Sequence, residues 1–372
     1  MAKAKKARAG AKAKVKAKAS PTATAKAARA RRLSQKAGAR KTTLARRAAR
    51  ELQLTFMIGD YEIVRALRDG TVKARGIELA AIKSPGSGAI HDRVAHGRGA
   101  DINEYNGGHY VVQKAHGRAD ITAIPVFLHR RFRHGFIYIN TGKGIARPAD
   151  LAGKRVACRT IGAAANYWMR AYLEEHGAPH RSITWVIEQL DEASSKAPKD
   201  LRIEVVPKGK TVAQMVLAGE VDAIIQPNVS EAHDKGDPRI ARLWPNYKAV
   251  ETDYYRRTGF FPIMHVVGIR RELAERHPWL PSAVFKAFEA AKEAGLKKLS
   301  DTSATKVTLP FVEEALKSAR TLMGEDYWSY GVEQNRRVLD YFLGQHHAQG
   351  LSSRRVAVDE LFHPATTETF KL

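Results

Sequence analysis

Between residues 54 and 269 the apolar positions come in short blocks separated by amphipathic stretches, the rhythm of strands alternating with helices. Residues 54–58 read as a short strand, followed by Gly59-Asp60-Tyr61 and an amphipathic helix to about Arg68, with Gly70 where that helix should stop. The pattern predicts a helix over 102–115, interrupted by Gly107-Gly108. Residues 121–127 and 136–139 are short, apolar and β-branched, so both read as buried strands. Residues 148–157 form a turn that leads into a strand, 162–175 a helix closed by Gly177, and 184–187 a strand. A helix over 211–217 and a strand over 221–225 follow, while 190–201 is polar and reads as a surface loop. After an apolar strand at 262–269 the chain becomes almost wholly helical to about Gln349. This order predicts an α/β fold with a mainly parallel sheet and helices on both faces.

Composition sharpens the picture. The 372 residues are 44% hydrophobic, enough for two lobes. The net charge of +25 looks like a nucleic-acid signal, but residues 1–50 hold 18 of the 63 Lys and Arg and no Asp or Glu. The rest carries 45 basic against 38 acidic side chains, a mild +7 that suits a small anion. Residues 1–51 are expected to be a disordered Lys/Ala-rich tail, either simply solvated or touching nucleic acid or another acidic surface. A single cysteine, Cys158, excludes an intramolecular disulfide and a cysteine-based zinc cluster. No apolar run is long enough to span a membrane, and the N-terminal segment lacks the pattern of a secretory signal, so the expected location is cytoplasmic.

Two segments carry a resemblance at the level of fold. Asp150-Leu151-Ala152-Gly153-Lys154-Arg155-Val156 and Leu217-Ala218-Gly219-Glu220-Val221-Asp222-Ala223 resemble the start and a late part of the second lobe of type II periplasmic binding proteins. The resemblance implies lobe one over 52–142, lobe two over 143–257, and a return to lobe one over 258–372. A narrower set of motifs runs through the chain in order: Ile58-Gly59-Asp60-Tyr61, then Ile124-Pro125-Val126-Phe127 with Arg131-Phe132-Arg133-His134. Tyr254-Tyr255-Arg256-Arg257-Thr258-Gly259-Phe260-Phe261-Pro262-Ile263-Met264-His265 follows, then Met323-Gly324-Glu325-Asp326 and His346-His347-Ala348-Gln349-Gly350. With these motifs the chain resembles the 4,5-dihydroxyphthalate decarboxylase family. The resemblance implies a cofactor-independent carboxy-lyase acting on a small aromatic carboxylate, and a homo-oligomer. The chain departs from the family after Glu104, where Tyr105-Asn106-Gly107-Gly108 replaces a serine-rich stretch, and again over 159–166.

Decarboxylation of an electron-rich ring needs a clamp for the ring, a proton for the carbon that loses carbon dioxide, and a partner for a ring hydroxyl. Arg130 and Arg133, beside His134, are the candidate clamp for the carboxylate that stays, or else solvated arginines. His134 and His265 are the candidates for proton transfer, since imidazole titrates near neutral pH, although His265 between Met264 and Val266 also fits a buried hydrogen-bonded histidine. Glu104 is either the base for a ring hydroxyl or an exposed helix acid. Asp60 and Tyr61 are expected at the ligand's polar edge, with Asp60 alternatively a helix cap. Gly162 should open a helix whose free N–H groups attract an anion, with Asn166 and Gln226 as polar contacts. His91, His96, His109, His116 and His129 show no metal-ligand spacing, and no dinucleotide or phosphate-loop fingerprint occurs, so neither a metal nor a cofactor is expected. A binding protein without chemistry is the competing reading.

Overall fold

A computed structural model describes residues 51–83, 86–118, 120–303 and 307–367. The expected basic tail lies almost wholly outside the described residues. The first lobe is built on a five-stranded sheet of β1 (Leu52–Met57), β2 (Ile77–Ala81), β3 (Ile102–Asn106), β4 (Ile121–Arg130) and β11 (Ile263–Arg270), in the order β2-β1-β3-β11-β4. The second is built on six strands, β5 (Ile137–Asn140), β6 (Arg155–Cys158), β7 (Thr184–Ile187), β8 (Ile203–Val205), β9 (Ala223–Ile225) and β10 (Ile240–Arg242), in the order β10-β5-β9-β6-β7-β8.

The second sheet is mainly parallel, as expected, with β6, β7, β8 and β9 running the same way, whereas the first sheet is mixed. β6 pairs in parallel with β7 and β9, but β5 runs antiparallel to β9, and β11 runs antiparallel to both β3 and β4. The antiparallel strands are the ones the chain enters when it passes between lobes, not through a helical crossover. The passage out of lobe one falls at residues 131–136, so β5 is already a strand of the second sheet, although the expected boundary was 142/143.

The predicted helix over 102–115 is in fact strand β3 followed by helix α1 (Gly107–Ala115). Pairing with β1 and β11 on both sides overrides the local preference. The polar residues of β3 hid the strand because each is satisfied in the fold. Asn103 bonds both ways with the backbone of Ala100, and Asn106 Oδ1 accepts from Gly108 N at 3.1 Å to cap α1.

Helix α2 (Ala164–Glu175) packs its fully buried Tyr167, Trp168 and Tyr172 between the lobes. Trp168 Nε1 donates to Ile263 O of β11 at 3.0 Å, and Asn106 Oδ1 also accepts from Ala164 N at 3.0 Å. One side-chain oxygen thus caps a helix in each lobe. The C-terminal helices include α3 (Leu280–Ser300) and α4 (Arg336–Ala348), whose His346 and Gln349 side reaches back to Gly108 O and Tyr167 O. No helix of the described residues is long and apolar enough to cross a membrane.

Candidate functional site

The register of the first sheet assembles the site. Val267 of β11 stands opposite Glu104 of β3, and His265 stands opposite Asn106, so Glu104 and His265 share a face as diagonal neighbours. On its other side His265 stands opposite His129 of β4, where the ladder is irregular between His265 and Val267. Pro125, which has no N–H to give, sits in that stretch of the edge strand. The slip in register carries His129 beside His265, with ring centres 4.8 Å apart and edge to face. His91, on the helix α5 spanning Ser87–Ala95, packs edge-on against the other side of His265 at 4.6 Å.

Glu104 lies at the centre and is fully buried. Its Oε1 accepts from His265 Nδ1 at 2.5 Å and from the Tyr61 hydroxyl at 2.5 Å, and its Oε2 accepts from Gly59 N at 2.8 Å. Tyr61 also meets Ser87 Oγ at 2.9 Å. Gly59 is required here because a Cβ would stand 2.8 Å from the Tyr61 ring and 3.1 Å from Glu104 Oε2. Burial by itself would raise the Glu104 carboxyl, but the interaction with His265 and the hydrogen bond from Tyr61 outweigh it and hold it at about 2. Burial, followed by repulsion from His265, lowers His91 to about 3 and His129 to about 2, so both are neutral imidazoles. Burial and the Glu104 charge push the Tyr61 phenol above its ordinary range, which keeps its proton in place.

The arginines divide. Arg130 donates from Nε and Nη2 to Phe261 O and from Nη1 to Ser329 O, with its guanidinium over the Phe127 and Phe261 rings. It ties β4 to the C-terminal segment, and desolvation lowers it to about 10. Arg133 is 1% exposed and donates from Nη1 to Pro227 O of lobe two at 2.8 Å, while its buried Nε has no partner among the described residues. Its guanidinium lies over the Phe136 ring at 5.3 Å, and its positive charge helps to lower His129.

Other expected residues sit elsewhere. His134 stacks on Tyr172 with ring centres 3.9 Å apart and meets Trp244 and Tyr254, an aromatic group separate from the cluster, and burial lowers it to about 3. Asp60 is exposed and pairs only loosely with Arg65 at 3.8 Å; it does not cap the helix over Glu62–Arg68, whose N-cap residue is Tyr61. Gly162 does not offer a free N–H to an anion, because that group donates to Asp191 Oδ2 at 2.8 Å, and the next helix donor, Ala164 N, is held by Asn106. Asn166 is buried and turns back to Thr160 O. Gln226, with Arg159 and Pro227, lines a cavity of about 660 Å³ at the carboxyl ends of the second sheet's parallel strands. Arg159 reaches from that cavity to Asp92 of α5 at 3.4 Å, joining the two lobes.

Sequence reasoning missed His91, His129 and Ser87. His91 and His129 stand 13 and 25 positions from Glu104, and His265 stands 161 away, so no local spacing marks them as a group. One ligand atom each from His91, Glu104 and His265 lies within 4.8 Å of the others, the donor set of a metal site that spacing had not shown.

Glu251 gives a separate, testable electrostatic signature. It accepts from Gly135 N at 3.2 Å, and burial raises its carboxyl from 4.5 to about 7. The folded state therefore binds this proton more tightly than the unfolded state, and the stability it confers is full below pH 4.5 and is lost as pH rises through about 7. Urea unfolding of Glu251→Gln between pH 5 and 8 should show a flatter pH dependence than the parent protein.

Two separate strand sheets, joined where the chain crosses from β4 to β5 and back to β11, give the two-lobed fold of type II periplasmic binding proteins. The structure is similar to the periplasmic aliphatic sulphonate binding protein of Escherichia coli, with TM-score 0.51 and 13% identity over 87% of this chain and 95% of that one. It is also similar to a periplasmic sulfonate-binding protein of Methylobacillus flagellatus, with TM-score 0.50 and 14% identity over 85% and 93% of the two chains. Residues 62–238 match the family described as NMT1/THI5 like. The sequence is 41% identical to a 4,5-dihydroxyphthalate decarboxylase of Comamonas testosteroni over 330 residues, 87% of this chain and 99% of that protein. A second 4,5-dihydroxyphthalate decarboxylase, from Pseudomonas putida, is 33% identical over 218 residues, 56% of this chain and 84% of that protein. The chain belongs to the 4,5-dihydroxyphthalate decarboxylase family.

Proposed function

We propose that this chain is a carboxy-lyase that decarboxylates a hydroxylated, phthalate-like acid held between its lobes. The observation that carries the reading is the buried Glu104–His265 pair at 2.5 Å, together with a buried Arg133 whose Nε has no partner among the described residues, in a chain 41% identical to a named decarboxylase. Arg133 grips the carboxylate that stays, because gripping the departing one would stabilise the ground state. With Nδ1 of His265 donating to Glu104, Nε2 is the nitrogen left to take the proton of a ring hydroxyl. The electron pair of that oxygen flows toward the ring carbon para to it, which takes up a proton and becomes tetrahedral. The bond to the carboxylate then breaks, its electron pair restores the aromatic ring, and carbon dioxide leaves. The imidazole returns the proton to the oxygen, so the net reaction consumes one proton per carbon dioxide. Neutral His91 and His129 keep the charge at the cluster to the one carboxylate, which favours the proton's move onto His265.

The test is incubation with 4,5-dihydroxyphthalate, with carbon dioxide and the ultraviolet spectrum followed together. One equivalent of gas and formation of 3,4-dihydroxybenzoate are expected; recovery of unconverted substrate in a stable complex would favour a binding protein instead. Replacing Arg133 with Met should raise KM by roughly tenfold or more through loss of a charge-assisted contact, with a smaller effect on kcat. Equal KM values in parent and variant would remove Arg133 as the clamp.

A further inference from the structure

We propose that His91, Glu104 and His265 form a binding site for one divalent first-row transition-metal ion, whose open positions take the two adjacent ring oxygens of a catechol-type ligand. The second half of this inference rests on the decarboxylase reading; the first half does not.

Three separate elements, α5, β3 and β11, converge to put the three donors within 4.8 Å of one another. Glu104 and His265 are buried, and His91 Nε2 is a buried nitrogen with no partner among the described residues. The neighbouring His129 has a buried Nδ1 in the same condition, and it stands next to His265. Buried polar atoms are almost always satisfied in folded proteins, so two orphaned imidazole nitrogens around one carboxylate point to a missing partner that accepts lone pairs. A hydrogen-bond donor would satisfy one such nitrogen alone, whereas a cation satisfies the His91 nitrogen and the Glu104 carboxylate together.

The donor types narrow the ion. Two imidazoles and one carboxylate suit zinc, cobalt, manganese or iron in the divalent state, whereas calcium and magnesium favour all-oxygen sets. Ligand atoms each at about 2.0–2.2 Å from one ion lie roughly 3.0–3.4 Å apart. The Glu104–His265 contact of 2.5 Å therefore has to open by less than about 1 Å, a small side-chain rotation. The support around the carboxylate is already in place, since Gly59 N and the Tyr61 hydroxyl hold Glu104 from behind. Three protein ligands leave positions open, and adjacent hydroxyls on a ring fill two of them as a chelate. The ion then takes over from the His265 imidazole the stabilisation of the ring oxyanion. Arg133 keeps its role at the retained carboxylate.

The experiment uses the full-length, untagged protein after dialysis against a chelator. Titration with zinc and with cobalt is followed by calorimetry and, for cobalt, by visible absorption. Saturable uptake of one ion per chain is expected, weakened by at least about tenfold in His91→Ala. His91→Gln supplies the same reading if the alanine variant does not fold, as judged by circular dichroism and thermal melting. The absence of saturable uptake by the parent protein, or uptake undiminished in both variants, would overturn the site. Carbon dioxide release is then measured on the chelated and the reconstituted protein. Full activity in the chelated protein overturns the ion's part in the chemistry and leaves the decarboxylase reading standing. Uptake that depends on His91 without any carbon dioxide release upholds the metal site and refutes the decarboxylase reading.

Discussion

Replacing Glu104 with Gln should lower the rate of carbon dioxide release by roughly a hundredfold to a thousandfold while the protein still folds. The carboxamide has the same size, so packing around the fully buried side chain is kept. What changes is the hydrogen-bond arithmetic. Gly59 N–H, the Tyr61 hydroxyl and His265 all point donors at this one group, which accepts all three as a carboxylate. A glutamine has one accepting oxygen and an NH2 that must face at least one of those donors. The charge that orients His265 and stabilises a proton on its ring is also lost. Initial rates with the dihydroxy substrate, read beside thermal unfolding, separate the two effects. A folded variant at the parent rate would remove Glu104 from the chemistry.

The second large effect is on stability. Gly108→Ala should cost about 1–3 kcal/mol, because an added Cβ would stand 2.2 Å from Gly162 O and 3.1 Å from Ala164 N, both backbone atoms. Neither can rotate away. α1 of the first lobe and the start of α2 in the second meet here with Asn106 shared between them, so relief requires the lobes to part. A fall in the urea midpoint, together with weaker substrate binding, is the expected result. An unchanged midpoint would mean that these two helix starts do not approach this closely. Gly107 is tight as well, since a Cβ there would reach Met264 O at 3.1 Å and need its neighbours to give by a few tenths of an ångström.

Much of the fold was legible in the sequence. The strand at Thr184–Ile187, the helix opening near Gly162 and the apolar return strand all announce themselves through short β-branched runs and a small-residue helix start. Strand β3 was misread because Glu104 and Asn106 find partners far along the chain, which local periodicity does not report. The small strands β2, β8 and β10 are only 5, 3 and 3 residues long, too short for an alternation to stand out from the surrounding loops.

The site divides along the same line. Residue chemistry by itself singled out Glu104, His265, Arg133 and Tyr61, because carboxylates, imidazoles and guanidinia are the groups that decarboxylation needs. It equally singled out His134, Arg130, Asp60 and Gly162, which the fold turns to packing, to a tie between segments, to solvent and to an internal carboxylate. Only the tertiary structure shows how these residues are distributed, and only it brings His91 and His129 to Glu104. The physical reason is register. Which side chains face one another across β3, β11 and β4 depends on strand pairing between segments about 140–160 residues apart and on a slip beside one proline, and neither is written in any local stretch of the chain.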